Sequence, residues 1–131
     1  LAKAIELMSD KSEPEKIMKL RDQLVSFIQD LIPTAKLNGH PTERIYNNIS
    51  ISIPNICSQQ LSCALDGVAF SSSSACSSNQ TSPSYVLKAL GLSNELASST
   101  VRFGLGRFTT EEEINTVKDK FVELKKALDT L

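Results

Sequence analysis

One cysteine, Cys76, sits in a run of small hydroxylated residues from Ser71 to Ser78, and downstream of it one arginine, Arg102, stands between apolar and glycine positions. A thiolate is a nucleophile. An arginine presents a planar fork of donors matched to a carboxylate. Serine and alanine bury too little apolar surface to offset the entropy of ordering a backbone, so the segment around Cys76 is expected to stay loose and its thiol exposed. Gly104 and Gly106 follow Arg102 and leave room for a ligand to come close to the backbone. A nucleophile and a carboxylate fork together suggest chemistry on a small amino or keto acid.

The other polar residues carry less. The three cysteines, Cys57, Cys63 and Cys76, leave one thiol over under any pairing, which indicates a reducing compartment. Their spacing fits no zinc pattern, and no metal site is expected. Cys63 falls in the apolar pattern of Leu61, Ala64 and Leu65 and reads as a small core residue. His40, the single histidine, lies in a polar turn with Asn38, Gly39 and Pro41 and reads as a solvated loop residue. The pair Gly104 and Gly106 lies in a strand pattern and lacks the third glycine of a phosphate-binding loop.

The elements that position these residues follow from periodicity. Ile17, Leu20, Leu24, Phe27 and Leu31 predict a helix over residues 13 to 32, started by Ser12, Pro14 and Glu15. Leu1, Ala4, Ile5 and Met8 form a second stripe, rotated by roughly 130° from the first if the helix is continuous. Either the helix breaks near Pro14 or its halves face different partners. Ile45, Ile49, Ile51 and Ile53, alternating with Asn48, Ser50 and Ser52, predict a strand with one polar face, ended by Pro54. A short helix is expected over 58 to 65, a short strand over 67 to 71, and a helix over 84 to 90 closed by Gly91. Val101, Phe103 and Leu105 predict a second strand with Arg102 on the non-core face. Thr109 or Thr110, with Glu112 or Glu113, caps a final helix whose stripe runs through Ile114, Val117, Phe121, Leu124, Leu128 and Leu131.

Irregular alternation of helices with one-sided strands indicates an α+β fold, a small, mainly antiparallel sheet with helices packed on one face. The 131 residues, 40% hydrophobic and 22% charged, suit a single domain over 1–131. A formal net charge of −1 gives no field for nucleic acid or an anionic membrane, and no apolar run approaches the ~18 residues of a membrane helix. No nucleic acid or membrane partner is expected, and the chain reads as an unexported protein. Opening on Leu1 within a helical pattern, it reads as a fragment of a longer product.

Three linear motifs carry the reading further: Ser-Ser-Ala-Cys at 73 to 76, Pro-Ser-Tyr-Val-Leu-Lys-Ala-Leu-Gly at 83 to 91, and Val-Arg-Phe-Gly-Leu-Gly-Arg-Phe-Thr-Thr-Glu-Glu-Glu at 101 to 113. In order and spacing they closely resemble the C-terminal, small domain of NifS/IscS-type cysteine desulfurases. The resemblance extends to Leu20-Arg-Asp, Asn38-Gly39 and the strand ending at Pro54. It implies a pyridoxal-phosphate enzyme of the fold-type I aminotransferase class that takes sulfur from L-cysteine, leaving L-alanine and an enzyme persulfide. Cys76 matches the position of the persulfide thiolate and Arg102 that of the substrate-carboxylate arginine. The resemblance also implies a sulfur-acceptor or iron–sulfur scaffold protein as partner, a homodimeric full-length enzyme, and a cytoplasmic or organelle-matrix location.

The family usually has glycine where Ser73 stands. Nothing here matches the residues that bind or tune pyridoxal phosphate, so the cofactor is expected on an absent large domain. Residues 1–12 would then belong to the helix that links the two, with Leu1, Ile5 and Met8 facing the missing partner. On this reading the fragment alone is inactive. A stand-alone sulfur-carrier module and a selenocysteine lyase-like enzyme are the alternatives.

Overall fold

Three isoleucines fix the orientation of the sheet: Ile49, Ile51 and Ile53 are each fully buried. In the computed structural model, which describes Lys3 and residues 12–72 and 84–130, they lie on and just beyond strand β2, Asn48–Ser52. Strands β1, Lys36–Leu37, β3, Ser71–Ser72, and β4, Thr100–Gly104, complete a four-stranded sheet in the order β1-β2-β4-β3. Every neighbouring pair is antiparallel. Ile51 opposes Val101 and Ile49 opposes Phe103, so the apolar sides of the two central strands share one face.

Two long helices cover that face. Helix α1, Ser12–Leu31, buries Ile17, Leu20, Leu24, Val25 and Ile28. The last helix, α5, Glu111–Asp129, buries Ile114, Phe121 and Leu124 and lies against α1. Helix α2, Ser58–Ala64, contributes Leu61 and also packs on α5. Phe103 of β4 meets Phe121 of α5 edge-on at 6.2 Å between ring centroids, and Phe70 meets Phe103 at 6.1 Å. Such pairs add about 0.5–1.5 kcal/mol beyond their buried area. Phe70 thus fixes the base of β3 beside β4. The α+β architecture expected from the sequence is the one observed.

Capping explains where α5 begins. The Thr110 hydroxyl accepts from the Glu113 N–H at 3.2 Å, and the Glu113 carboxylate accepts from the Thr110 N–H at 2.9 Å. Two short helices, α3, Tyr85–Ala89, and α4, Asn94–Ser98, precede β4. Gly91 follows α3 at a φ of 82°, a conformation costly for any residue with a Cβ.

Several expectations need correction. Ile45 is not part of the strand: it is 66% exposed, in the segment before the turn at Tyr46 and Asn47 that leads into β2. Ser52, read as a residue of the polar face, is nonetheless fully buried, its hydroxyl satisfied by hydrogen bonds. Cys63 is exposed rather than a core residue, since Leu61 and Leu65 point inward and leave it on the outer side of α2. Ser12 already lies within α1 rather than outside its first turn. The strand expected over 67 to 71 is confined to Ser71 and Ser72, and α4 was not foreseen. The stripe through Leu1, Ala4, Ile5 and Met8, and Leu131, lie outside the described residues.

Candidate functional site

The face of the sheet opposite the long helices is polar, and Arg102 lies near its centre. Alternation along β4 buries Val101 and Phe103 and exposes Arg102 between them. The ladder register places Ser50 of β2 directly opposite Arg102 on one side and Ser71 of β3 directly opposite on the other. Directly opposed side chains share a face, with Cβ atoms about 4.5–5.5 Å apart. Ser50, Arg102 and Ser71 therefore form one row across the sheet. No hydrogen bond or ion pair to another described residue holds the Arg102 guanidinium. A Cβ built on Gly104, two residues along the same face, meets nothing within 4 Å.

Next to the row, on the same face, lies a chain of buried polar groups. The Asn38 backbone N–H donates to the Ser50 carbonyl at 2.8 Å. The Asn38 side-chain amide donates to the Ser52 hydroxyl at 2.9 Å and to the Ser50 hydroxyl at 3.3 Å. Ser52 lies 2.7 Å from the Thr100 hydroxyl, which in turn donates to the Leu96 carbonyl at 2.7 Å. Thr100 commits its proton to Leu96 and accepts from Ser52, whose single proton is shared with the Asn38 side-chain carbonyl at 3.2 Å, while the Ser52 oxygen accepts from the Asn38 amide. The buried hydroxyls of Ser52 and Thr100 thus each have a donor and an acceptor, which is how a buried polar chain avoids a desolvation penalty. Sequence reading treated Asn38 only as a turn residue beside Gly39. The signal for its second role was the polar alternation of Ser50 and Ser52 on the strand it precedes.

A second arginine cluster lies away from this face and serves the fold. Arg21 is buried, donates to Asp22 at 2.7 Å, and reaches the Ile45 and Tyr46 carbonyls at 3.5 and 3.4 Å. Arg44 donates to the His40 and Asn48 carbonyls, each at 3.4 Å. Burial, and then the nearby Arg21, push the Arg44 guanidinium below its usual value, with Asp22 acting the other way. These side chains tie the 40–48 segment to α1.

Of the two site residues expected from the sequence, Arg102 is thus on the open face and Cys76 lies outside the described residues. Ser73 does too. Cys57 and Cys63 are both exposed free thiols on or beside α2. His40 is exposed and its Nδ1 accepts from the backbone N–H groups of Thr42 and Glu43 at 3.2 and 2.8 Å. Among the described residues no helix is long and apolar enough to cross a membrane.

No protein-family model matches the chain. Among curated proteins it is similar to the cysteine desulfurase IscS of Acinetobacter baumannii (strain AYE), with 48% identity over 106 residues, 81% of this chain and 26% of that protein. It is 41% identical over 123 residues to the IscS of Anaeromyxobacter sp. (strain Fw109-5), covering 92% of this chain and 30% of that one. A probable mitochondrial cysteine desulfurase of Dictyostelium discoideum is 47% identical over 96 residues, 73% of this chain and 21% of its own. The chain therefore spans less than a third of the length of these relatives. Among solved structures, a NifS-like protein from Rickettsia africae superposes with a TM-score of 0.75 over 88% of this chain and 30% of its own, at 24% identity. A second structure titled NifS-like protein gives 0.74 over 97% of this chain and 31% of its own, at 25% identity.

Proposed function

We propose that this chain, which belongs to the NifS/IscS-type cysteine desulfurase family, supplies two working groups of a desulfurase: Cys76 as the sulfur-accepting thiolate and Arg102 as the clamp on the carboxylate of L-cysteine. The observation that carries the reading is the exposed Arg102 side chain, which has no partner among the described residues and stands in register with Ser71. An arginine kept for structure meets carboxylates or carbonyls of its own chain, as Arg21 and Arg44 do. Arg102 is exposed, and a Cβ added at Gly104, two residues along the same face, would meet nothing within 4 Å, which leaves room for a substrate carboxylate to take a bidentate pair.

Chain length is compatible with the thiol working at the same place. Cys76 follows Ser71 by five residues, so its Cα lies no farther than ~18 Å from that of Ser71. In the reaction, the Cys76 thiolate attacks the sulfur of L-cysteine and an S–S bond forms. The Cβ–S bond of the substrate breaks, its electron pair remains with the substrate carbon, and that carbon takes a proton. L-cysteine and an enzyme thiol thus become L-alanine and an enzyme persulfide. Pyridoxal phosphate would be held by another part of the full-length protein. The persulfide then passes to a sulfur-acceptor or iron–sulfur scaffold protein. Bacterial and mitochondrial relatives favour a cytoplasmic or organelle-matrix setting.

The test is transfer of label from sulfur-35 L-cysteine to the full-length protein. Cys76→Ser should abolish protein-bound sulfane label while the cofactor absorbance stays. Undiminished labelling would overturn the assignment.

A further inference from the structure

The guanidinium of Arg102 has a neighbour whose hydroxyl is aimed by a buried amide. Ser50 stands directly opposite Arg102 on the same face, half-buried in a central strand. Its oxygen accepts from the Asn38 side-chain amide at 3.3 Å. Because Asn38 is the donor in that contact, the Ser50 proton is free to point away from the sheet. Asn38 is itself held: it is 6% exposed, its backbone N–H is bound to the Ser50 carbonyl, and its amide also binds Ser52. Ser71, on the other side of Arg102, is exposed in a two-residue edge strand and has no such buried donor behind it among the described residues.

We propose that Ser50 is a second donor to the substrate carboxylate beside Arg102, and that Asn38 is the residue that positions it; the proposal rests on Arg102 being the carboxylate clamp. The chemistry is that of a carboxylate with more lone pairs than one arginine fork fills. The fork takes the in-plane pairs, and a neutral hydroxyl adds a donor without adding charge to the face. A hydroxyl already accepting from an amide is also a better donor, because the two hydrogen bonds polarise each other. Ser50 therefore discriminates a substrate that carries the α-carboxylate from an amine or thiol that lacks it.

The experiment measures KM and kcat for L-cysteine in the full-length holoenzyme with Ser50→Ala, Ser50→Thr and Arg102→Ala. Ser50→Ala is expected to raise KM by about tenfold, the scale of a hydrogen bond to a charged group, with a smaller change in kcat. Ser50→Thr, which keeps the hydroxyl on a strand-compatible side chain, should restore KM to within about threefold of the parent. If Arg102→Ala raises KM and Ser50→Ala does not, the inference about Ser50 is wrong while the clamp stands. If Arg102→Ala leaves KM unchanged, the clamp itself is wrong and the inference falls with it. A Ser50→Thr enzyme as impaired as Ser50→Ala would show that shape, not the hydroxyl, matters there, and would also overturn the inference.

Discussion

Ser71 and Arg102 face each other across the ladder between β3 and β4. The strand that carries Arg102 is thereby bonded to the strand from which the chain runs on towards Cys76. Phe70, one residue earlier, packs at a tilt against Phe103, one residue after Arg102. Sheet pairing and aromatic packing together fix the origin of the segment that carries the thiol relative to the group proposed to hold the substrate.

A lysine should not replace Arg102. It keeps the charge but loses the two parallel donors that match a carboxylate. Arg102→Lys in the full-length protein is expected to lower kcat/KM by about tenfold or more, chiefly through KM. Steady-state kinetics with L-cysteine checks this, and a parent-like value would argue that only the charge matters.

The exposed thiols Cys57 and Cys63 should be reactive without being productive. Both are open to solvent. They should titrate with Ellman's reagent in the native protein, since access and thiolate fraction set that rate. The Cys57→Ser/Cys63→Ser variant should nonetheless carry as much sulfane sulfur after incubation with L-cysteine as the parent. Loss of most of it would move the persulfide away from Cys76.

The buried polar chain should be costly to break. Ser52→Ala removes the link between Asn38 and Thr100 and leaves the Asn38 amide one acceptor short. The expected loss is about 1–3 kcal/mol of stability, read as a lower urea midpoint at unchanged slope.

Thr110→Ala removes one half of the capping box at the start of α5. It should cost about 1 kcal/mol in the same urea experiment, and Thr110→Ser should cost little.

Sequence patterning located what depends on local repetition. The alternation of Ile49, Ile51 and Ile53, the stripe through Ile114, Phe121 and Leu124, and the Thr110–Glu113 cap all appear where local rules put them. Arg102 on the non-core face followed from the same alternation. What escaped depends on groups distant in sequence. Ser52 is buried because Asn38 and Thr100 satisfy it, and no local pattern announces those partners. Ile45 looked like one more member of an apolar alternation, but the turn before β2 leaves it outside the sheet. Helix α4 is only five residues long, and its one local signal was Ser93, whose side chain accepts from the Leu96 N–H. Cys63 was misread because its apolar neighbours Leu61 and Leu65 set the inward direction of a helix too short to show a full stripe.

Among the described residues, strand β3 pairs with β4 through two residue pairs, Ser71 with Arg102 and Ser72 with Val101. At about 1 kcal/mol net for each hydrogen bond, unzipping so short an edge costs little beside unfolding the domain. The aromatic contact of Phe70 stays behind as a fixed peg. Opening those two pairs bares the edge of β4 beside Arg102, so access to the face proposed to hold the substrate is set by the same two serines.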